Sequence, residues 1–96
     1  MDDAADLRRL RMRSWRRGIK EMDLILGPFA DDGLVDLSQD ERGLFDRLLS
    51  ENDHDLYQWV TARIAAGEGA RGPADYDALL DRIAEHAARR LRPTQA

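Results

Sequence analysis

Apolar side chains recur along the chain at the three- and four-residue spacings that place them on one face of an α-helix. The clearest series lies near the C-terminus and comprises Tyr76, Leu79, Leu80, Ile83, Ala84, Ala87 and Leu91. Pro93 follows this series and should terminate the helix. No stretch alternates apolar and polar residues as a half-buried strand does, and no internal repeat competes with the helical pattern. The pattern therefore predicts an all-α fold, a compact bundle of about five short helices.

The first predicted helix begins at Leu7, and Asp6 is suited to cap its N-terminus. Its apolar positions, interleaved with arginines, are Leu7, Leu10, Met12 and Trp15. The helix should end near Arg17, because Gly18 follows and glycine inside a helix costs about 1 kcal/mol relative to alanine. Gly18 then has two compatible interpretations. It lets the chain turn into the next helix, or it bares backbone so that another molecule can approach closely.

A second helix is predicted from Ile19 onward. Its apolar face consists of Met22, Ile25, Leu26 and Phe29. Gly27 and Pro28 should end or kink this helix, because proline lacks the backbone N–H that a helix interior uses. The next four residues, 30–33, read Ala-Asp-Asp-Gly and are typical of a turn.

Two further helices are predicted from their capping residues. Ser38 and Glu41 have the spacing of a capping box. A third helix should therefore start at Gln39 and stop at residues 50–52. Its inward positions are Leu44, Phe45, Leu48 and Leu49. Asp53 is suited to cap a fourth helix. The apolar stripe of that helix is Leu56, Tyr57, Val60 and Ile64, with Trp59 beside it.

The length of 96 residues is enough for a single hydrophobic core and favours one domain. The loosest connection is residues 67–73, which are rich in glycine and end in Pro73, a residue suited to a helix start. We expect a single helical domain over residues 6–92, with flexible tails at 1–5 and 93–96. We also expect the free protein to be a monomer.

Charge is unevenly distributed along the chain. Residues 1–20 carry seven basic side chains against three acidic ones, a surplus of four positive charges in a protein whose net charge is −4. Residues 21–96 are therefore at −8. A basic helix of this kind can meet nucleic acid, anionic lipid or an acidic protein surface. Alternatively, its arginines form ion pairs with the acidic remainder of the same chain.

Candidate catalytic residues are few. The absence of cysteine excludes disulfides, thiolate metal sites and a cysteine nucleophile. Ser38 is explained as a helix cap, Ser14 lies in the basic helix, and no phosphate-binding loop or HExxH pattern is present. His54 and His86 fall on different predicted elements, and we interpret His86 as a surface residue of the last helix. We therefore predict neither an enzyme nor a metal site.

The compartment can be inferred from hydropathy and from the first residues. No apolar run approaches the roughly 20 residues of a membrane span. The sequence opens Met-Asp-Asp, with acidic residues where a signal peptide carries basic ones. These features indicate a soluble cytoplasmic protein that does not contact membranes.

Residues 17–21 read Arg-Gly-Ile-Lys-Glu and match the RGxxE motif of a known family. The match continues in order and spacing over residues 8–64. Its further elements are Arg16, Glu21-Met22-Asp23-Leu24, Pro28-Phe29, Leu37-Ser38, residues 45–49 and residues 55–59. The chain thereby resembles the small bacterial and mitochondrial assembly factors that promote covalent attachment of FAD to the flavoprotein subunit of succinate dehydrogenase.

This resemblance implies a five-helix protein that binds the immature flavoprotein subunit and favours the conformation in which that subunit attaches FAD to its own histidine. The chemistry then belongs to the partner, and this chain binds no FAD stably. Fumarate reductase is a further candidate client. The partner-binding residues are Arg17, Gly18, Glu21, Asp23, Arg16 and Trp15. The first three are carried over from the motif, the fourth supports them, and the last two are added from charge and exposure.

Two other interpretations compete with the assembly factor. A nucleic-acid-binding or antitoxin-type regulator would act through the basic first helix, although the acidic remainder and the lack of a convincing helix-turn-helix pattern argue against nucleic acid as the partner. A generic adaptor would bind a partner unrelated to flavoproteins. For Trp15, the alternative to partner binding is that its indole fastens the first helix to the bundle.

Overall fold

The computed structural model describes residues 3–65 and 70–91, and it contains five α-helices. They are α1 (Asp3–Ser14), α2 (Lys20–Gly33), α3 (Gln39–Leu48), α4 (Asp53–Ile64) and α5 (Asp77–Leu91), with 3-10 turns at Leu34–Asp36 and Ala74–Tyr76. Helix α2 packs against α1, α4 and α5, and α4 packs along α5. The described residues contain no strand, so the prediction of a five-helix all-α fold is confirmed.

All five helices contribute to one hydrophobic core. Each supplies at least one side chain with no exposed surface, and examples in chain order are Leu10, Leu26, Phe45, Leu56 and Leu80. Full burial of a leucine or phenylalanine stabilises a fold by about 1.5–3 kcal/mol. The apolar stripes read from the sequence are therefore the main source of stability for this small domain.

Helix α1 begins at Asp3, four residues before the predicted start at Leu7. Asp6 is therefore inside the first turns rather than a cap, and part of the segment expected as a tail is helical. Acidic side chains near a helix N-terminus interact favourably with the helix dipole, and Asp3 also pairs with Arg42 at 3.6 Å. The helix ends at Ser14, three residues before the predicted end, because the residues that follow are held by contacts with other helices.

Two arginines of α1 connect it to α3. Arg9 donates to Asp6 and to Asp46, each at 2.9 Å, and Arg13 pairs with the same Asp46 carboxylate. The interpretation that arginines of the first helix pair with the acidic remainder is thus correct for Arg9 and Arg13. The hydrogen bond from Arg9 is the main reason that the pKa of Asp46 lies below its ordinary value.

The Asp46 carboxylate should make folding stability depend on pH. Its pKa is lower in the folded than in the unfolded protein, so its contribution is present above about pH 4 and is lost as the pH falls through the folded-state pKa. We expect the melting temperature to fall more steeply below about pH 4 for the wild type than for Asp46→Asn. Thermal unfolding followed by circular dichroism over a pH series measures both slopes. Equal slopes for the two proteins would show that the Asp46 carboxylate does not contribute to the pH dependence of stability.

Helix α2 continues through Pro28 to Gly33, so the predicted end at Gly27-Pro28 is wrong, and so is the turn predicted for the Ala-Asp-Asp-Gly segment. A proline inside a helix leaves the carbonyl four residues earlier without its usual partner. That carbonyl, on Leu24, accepts a hydrogen bond of 3.4 Å from Arg90 of α5. Burial of the apolar face of α2 outweighs the proline penalty of about 3 kcal/mol.

Gly27 allows the indole of Trp15 to pack directly on the backbone of α2, and a Cβ atom at this position would overlap three ring carbons. We therefore expect Gly27→Ala to lower the free energy of unfolding by about 1–3 kcal/mol, although alanine has the higher helix propensity. Gly43→Ala in α3 is the matched control, because a Cβ there meets nothing within 4 Å and should stabilise by up to about 1 kcal/mol. Urea unfolding measures both. If Gly27→Ala were stabilising too, the Trp15 packing would not be tight.

The capping box predicted before α3 is present in full. The Ser38 hydroxyl accepts from the Glu41 backbone N–H at 3.1 Å, and the Glu41 carboxylate accepts from the Ser38 N–H at 2.8 Å. The cap of α4 is Asn52 rather than the predicted Asp53, since the Asn52 side chain accepts from the N–H of His54 at 2.8 Å. The Asp53 carboxylate is therefore not used as the cap of α4 and can bind a different group.

The buried face of α4 is narrower than predicted. Leu56 and Val60 are fully buried, but Tyr57 and Ile64 are each 38% exposed, so the inward positions predicted for those two are wrong. The reason is that α4 contacts only α5 and α2 closely and presents its other sides to solvent. Leu44 of α3 is half-buried and packs at the edge of the core.

Helix α5 buries the predicted positions up to Ala87, and Tyr76 lies in the 3-10 turn that precedes it. The Leu91 side chain, Pro93 and the expected C-terminal tail lie outside the described residues. The interpretation of His86 as a surface residue is wrong. Its side chain is 13% exposed, its Nε2 lies 2.8 Å from an Asp32 oxygen, and its ring meets Phe29 edge-on. This arrangement follows from the continuation of α2, which places Asp32 beside α5.

Candidate functional site

The RGxxE motif spans the junction between α1 and α2. Residues 15–19 form a non-helical linker, and α2 starts at Lys20. Gly18 therefore does break the helical pattern, and the chain does not run as one helix from Arg17 to Glu21. These two side chains consequently point in unrelated directions rather than lying on one helix face.

The Arg17 side chain points into the protein and is only 9% exposed. Its guanidinium donates to Asp53 at 2.6 Å, to the Leu49 carbonyl at 2.5 Å and to the Glu51 carbonyl at 3.1 Å. These acceptors surround the turn between α3 and α4, where two carbonyls are left free by the end of a helix. Arg17 thus fastens the linker to the α3–α4 turn and presents little of its charge to a partner.

The Asp53 carboxylate bridges two motif residues. One oxygen accepts from Arg17, and the other accepts from the backbone N–H of Gly18. A Cβ atom at Gly18 would lie 2.8 Å from that second oxygen, which is closer than real contacts allow. Gly18 does not adopt the left-handed conformation, so its backbone conformation does not call for glycine, whereas a larger residue would have to displace the Asp53 carboxylate. The opposite side of Gly18 is exposed.

Asp23 holds the linker from the α2 side. Its carboxylate accepts from the Arg17 backbone N–H at 2.6 Å, and its side chain is half-buried. The linker is therefore fixed by a carboxylate from α2 and a carboxylate from α4. Such double attachment gives the exposed Gly18 backbone one defined position.

Glu21 is the motif residue that faces solvent. It lies in the first turn of α2 and is exposed, and its side chain makes no hydrogen bond or ion pair within residues 3–65 and 70–91. It borders a small, largely apolar groove between α2, α4 and α5 whose other lining residues are Leu24, Ile25, Tyr57, Ala87 and Arg90. An unpaired carboxylate next to apolar surface is suited to contact another molecule.

Trp15 and Arg16 differ in their surroundings. The Trp15 ring packs on Gly27, and its Nε1 lies 3.3 Å from both carboxylate oxygens of Asp31, so the indole does fasten the linker to α2. It nevertheless keeps 41% of its surface exposed. The Arg16 side chain is exposed and has no hydrogen-bonding or ion-pair partner in the described part of the chain.

Asp53 is the residue of this site that sequence reasoning missed. It lies 36 positions from Arg17 and was explained as a helix cap, an assignment that local pattern supports equally well. The sequence signal that points to another role for Asp53 is the neighbouring Asn52, which is an equally good capping residue. With Asn52 as the cap, the Asp53 carboxylate is not needed to cap α4. Residues 15–23 together with Asp53 form a surface, here called the RGxxE platform, that exposes backbone at Gly18 and a carboxylate at Glu21.

A family model described as flavinator of succinate dehydrogenase, Sdh5, matches residues 8–87, which include the entire platform. The chain belongs to the Sdh5 family. The matched region of this Sdh5-family chain covers α2, α3 and α4 completely, together with the second half of α1 and most of α5.

Curated relatives of this Sdh5-family chain come from bacteria and fungi. The FAD assembly factor SdhE of Aliivibrio fischeri is 34% identical over 77 residues, which cover 80% of this chain and 84% of that protein. The SdhE of Photobacterium profundum is 35% identical over 77 residues, which cover 80% of this chain and 82% of that protein. The mitochondrial succinate dehydrogenase assembly factor 2 of Aspergillus flavus is 43% identical over 61 residues. That match spans 62% of this chain but only 21% of the fungal protein.

Sdh5-family membership agrees with the resemblance drawn from the RGxxE motif and its flanking residues. The curated relatives are themselves named as assembly factors. Within the described residues, no helix is both long enough and apolar enough to cross a membrane.

Proposed function

We propose that this protein is an assembly factor that binds the immature flavoprotein subunit of succinate dehydrogenase and promotes covalent attachment of FAD to it. Membership of the Sdh5 family supports the client and the process. The single observation in the fold that carries the proposal is the rigid linker, in which Gly18 exposes backbone while Asp53 and Arg17 hold it from behind.

The chemistry of flavin attachment belongs to the client in this proposal. The assembly factor binds no FAD stably, has no catalytic residue of its own, and acts by favouring the client conformation in which a histidine meets the flavin. A ligand that binds one conformation better than another shifts the population toward it, and this requires no reactive group on the ligand. We place the protein in the cytoplasm, and two relatives that are covered over more than 80% of their length are bacterial.

The site residues divide into contact and positioning roles. Gly18, Glu21, Arg16 and the exposed edge of Trp15 contact the client, because all four have exposed surface. Arg17 and Asp23 are positioning residues, since their polar groups are turned toward the protein and fix the linker. The flavoprotein subunit of fumarate reductase is a further client with the same chemistry of covalent flavin.

The proposal is tested by covalent flavin on the succinate dehydrogenase flavoprotein subunit, read as in-gel fluorescence. Cells lacking this protein should show strongly reduced fluorescence at unchanged subunit abundance, and wild-type protein should restore it. Normal flavin attachment in the deletion strain would contradict the proposal. Reduced fluorescence with an equal loss of the subunit would indicate a general stabilising role instead.

Glu21→Ala separates client contact from folding. The Glu21 carboxylate makes no hydrogen bond or ion pair within the described residues, so we expect the free energy of unfolding to change by no more than about 0.5 kcal/mol. Affinity for the flavoprotein subunit should fall by about tenfold or more, as for a charged interface residue. Calorimetric titration and urea unfolding measure the two quantities. A large loss of stability would show that Glu21 has a structural role.

A further inference from the structure

A second feature of the surface, beside the RGxxE platform, is an open groove along α1. It has a volume of about 440 Å³ and is lined by Arg9, Met12, Arg13, Arg16 and Arg17. Met12, the apolar member of this lining, is 53% exposed. The groove therefore combines four arginine side chains with one exposed apolar side chain.

The arginines around this groove are only partly neutralised by carboxylates of the described residues. Arg8 lies one helical turn before Met12 on the same side of α1 and brings the number of guanidinium groups there to five. Within the described part of the chain, three carboxylates pair with these five arginines: Asp6, Asp46 and Asp53. Arg8 and Arg16 have no hydrogen-bonding or ion-pair partner for their side chains among residues 3–65 and 70–91.

We propose that this groove binds an acidic segment of the flavoprotein client, with Arg8 and Arg16 meeting its carboxylates and Met12 meeting an apolar side chain within it. The inference rests on the proposed function, because Arg17 lies both in the groove and in the RGxxE motif. A client that binds at Gly18 can therefore also contact the adjoining groove on α1. Its acidic segment supplies the charges that the arginines lack.

A protein segment fits this surface better than nucleic acid does. The surplus is only two positive charges, whereas residues 21–96 are at −8 and would repel an extended phosphate backbone. The exposed thioether of Met12 also provides an apolar contact that a short peptide can use and a phosphate backbone cannot.

Charge reversal tests the groove without disturbing the fold. Arg8→Glu alone removes an unpaired cation outside the contacts proposed for the RGxxE motif, and its combination with Arg16→Glu removes both unpaired cations of the groove. Both variants leave the Asp46 pairs of Arg9 and Arg13 intact. Arg89→Glu on α5 is the matched control, since this arginine is exposed and unpaired in the described part of the chain but lies away from α1. Binding of each full-length variant to the purified apo flavoprotein subunit is measured by calorimetric titration at several salt concentrations.

We expect the double variant to bind the flavoprotein subunit at least about tenfold more weakly than the wild type and with a flatter dependence on salt. Arg89→Glu should bind as the wild type does. Arg8→Glu alone should already weaken binding measurably, because Arg8 is not among the contacts proposed for the RGxxE motif. Unchanged affinity in Arg8→Glu, together with loss of binding in Gly18→Arg, would overturn the acidic-segment inference and leave the proposed function standing. Failure of the wild type to bind would overturn both. Retained client binding with loss of binding to a 20-base-pair DNA duplex would assign the groove to nucleic acid.

A photocrosslinking amino acid in place of Met12 identifies the segment directly. Crosslinking of the complex followed by mass spectrometry should yield a client peptide rich in Asp and Glu. The same probe in place of Val35 is the control, because Val35 is 54% exposed and lies beyond the other end of α2. A crosslink from position 12 to a neutral or basic client segment, or to none, would overturn the inference.

Discussion

Gly18→Arg is expected to abolish the support that this protein gives to covalent flavin attachment while leaving the helical fold intact. Even the first side-chain atom at this position collides with the Asp53 carboxylate, and the remainder of an arginine covers the backbone that the linker exposes. Because Gly18 lies at the surface, the free energy of unfolding should fall by no more than about 1–2 kcal/mol. In-gel flavin fluorescence of rescued deletion cells measures the functional loss.

Two further substitutions make the Gly18 result interpretable. Gly43→Arg places the same side chain at an exposed glycine in α3 with open space around it, and it should restore flavin attachment fully. Gly18→Ala adds only the Cβ atom that meets Asp53. Comparing Gly18→Ala with Gly18→Arg therefore distinguishes an effect of displacing the linker from an effect of blocking the client with a long side chain. Unimpaired rescue by Gly18→Arg would refute the claim that the client sits on this surface.

Asp53→Ala is expected to cause the largest loss of stability. It leaves the Arg17 guanidinium, only 9% exposed, without its counter-charge, and removing one partner of a buried pair costs about 3–5 kcal/mol. The linker should also lose its fixed position, so flavin attachment should fall. Asp55→Ala is the control, since Asp55 is exposed in the same first turn of α4. Urea unfolding of both variants gives the difference.

A double-mutant cycle checks the physical cause. Arg17→Met removes the charge together with its need for a partner, so the free-energy losses of Arg17→Met and Asp53→Ala should add up to more than the loss in the double variant. Strict additivity, or equal losses in Asp53→Ala and Asp55→Ala, would show that the buried pair does not hold the linker.

The helices were predictable because their signals are local. The capping box of Ser38 and Glu41 lies within one turn, and the buried positions of α5 repeat along one face. Both signals are complete within a short stretch of sequence, so no knowledge of the tertiary structure is needed to read them.

The errors arose where contacts between distant residues decided the outcome. Pro28 is a local signal to end a helix, but the buried face of α2 and the contact from Arg90 to a carbonyl of α2 allow the helix to continue. The same extension moved Asp32 out of the predicted turn and gave His86 a partner. A local sequence pattern does not show which distant helix will pack against a given segment, such as α5 against the C-terminal part of α2.

The location of the candidate site was predictable, but its internal construction was not. The motif and the charge pattern directed attention to residues 15–23, and Gly18 does lie at a helix junction. What the sequence did not reveal is that Arg17 turns inward to Asp53, because that pair joins segments far apart in the chain. The role of Arg17 as a positioning residue follows only from the folded structure.

The central claim is that the RGxxE platform makes the flavoprotein subunit attach its own FAD faster. The most direct test incubates purified apo flavoprotein subunit with FAD, alone, with wild-type protein or with Gly18→Arg, and follows covalent flavin by in-gel fluorescence over time. We predict that wild type accelerates attachment by at least about tenfold, which corresponds to about 1.4 kcal/mol of barrier, and that Gly18→Arg does not. Equal rates in all three reactions would contradict the account.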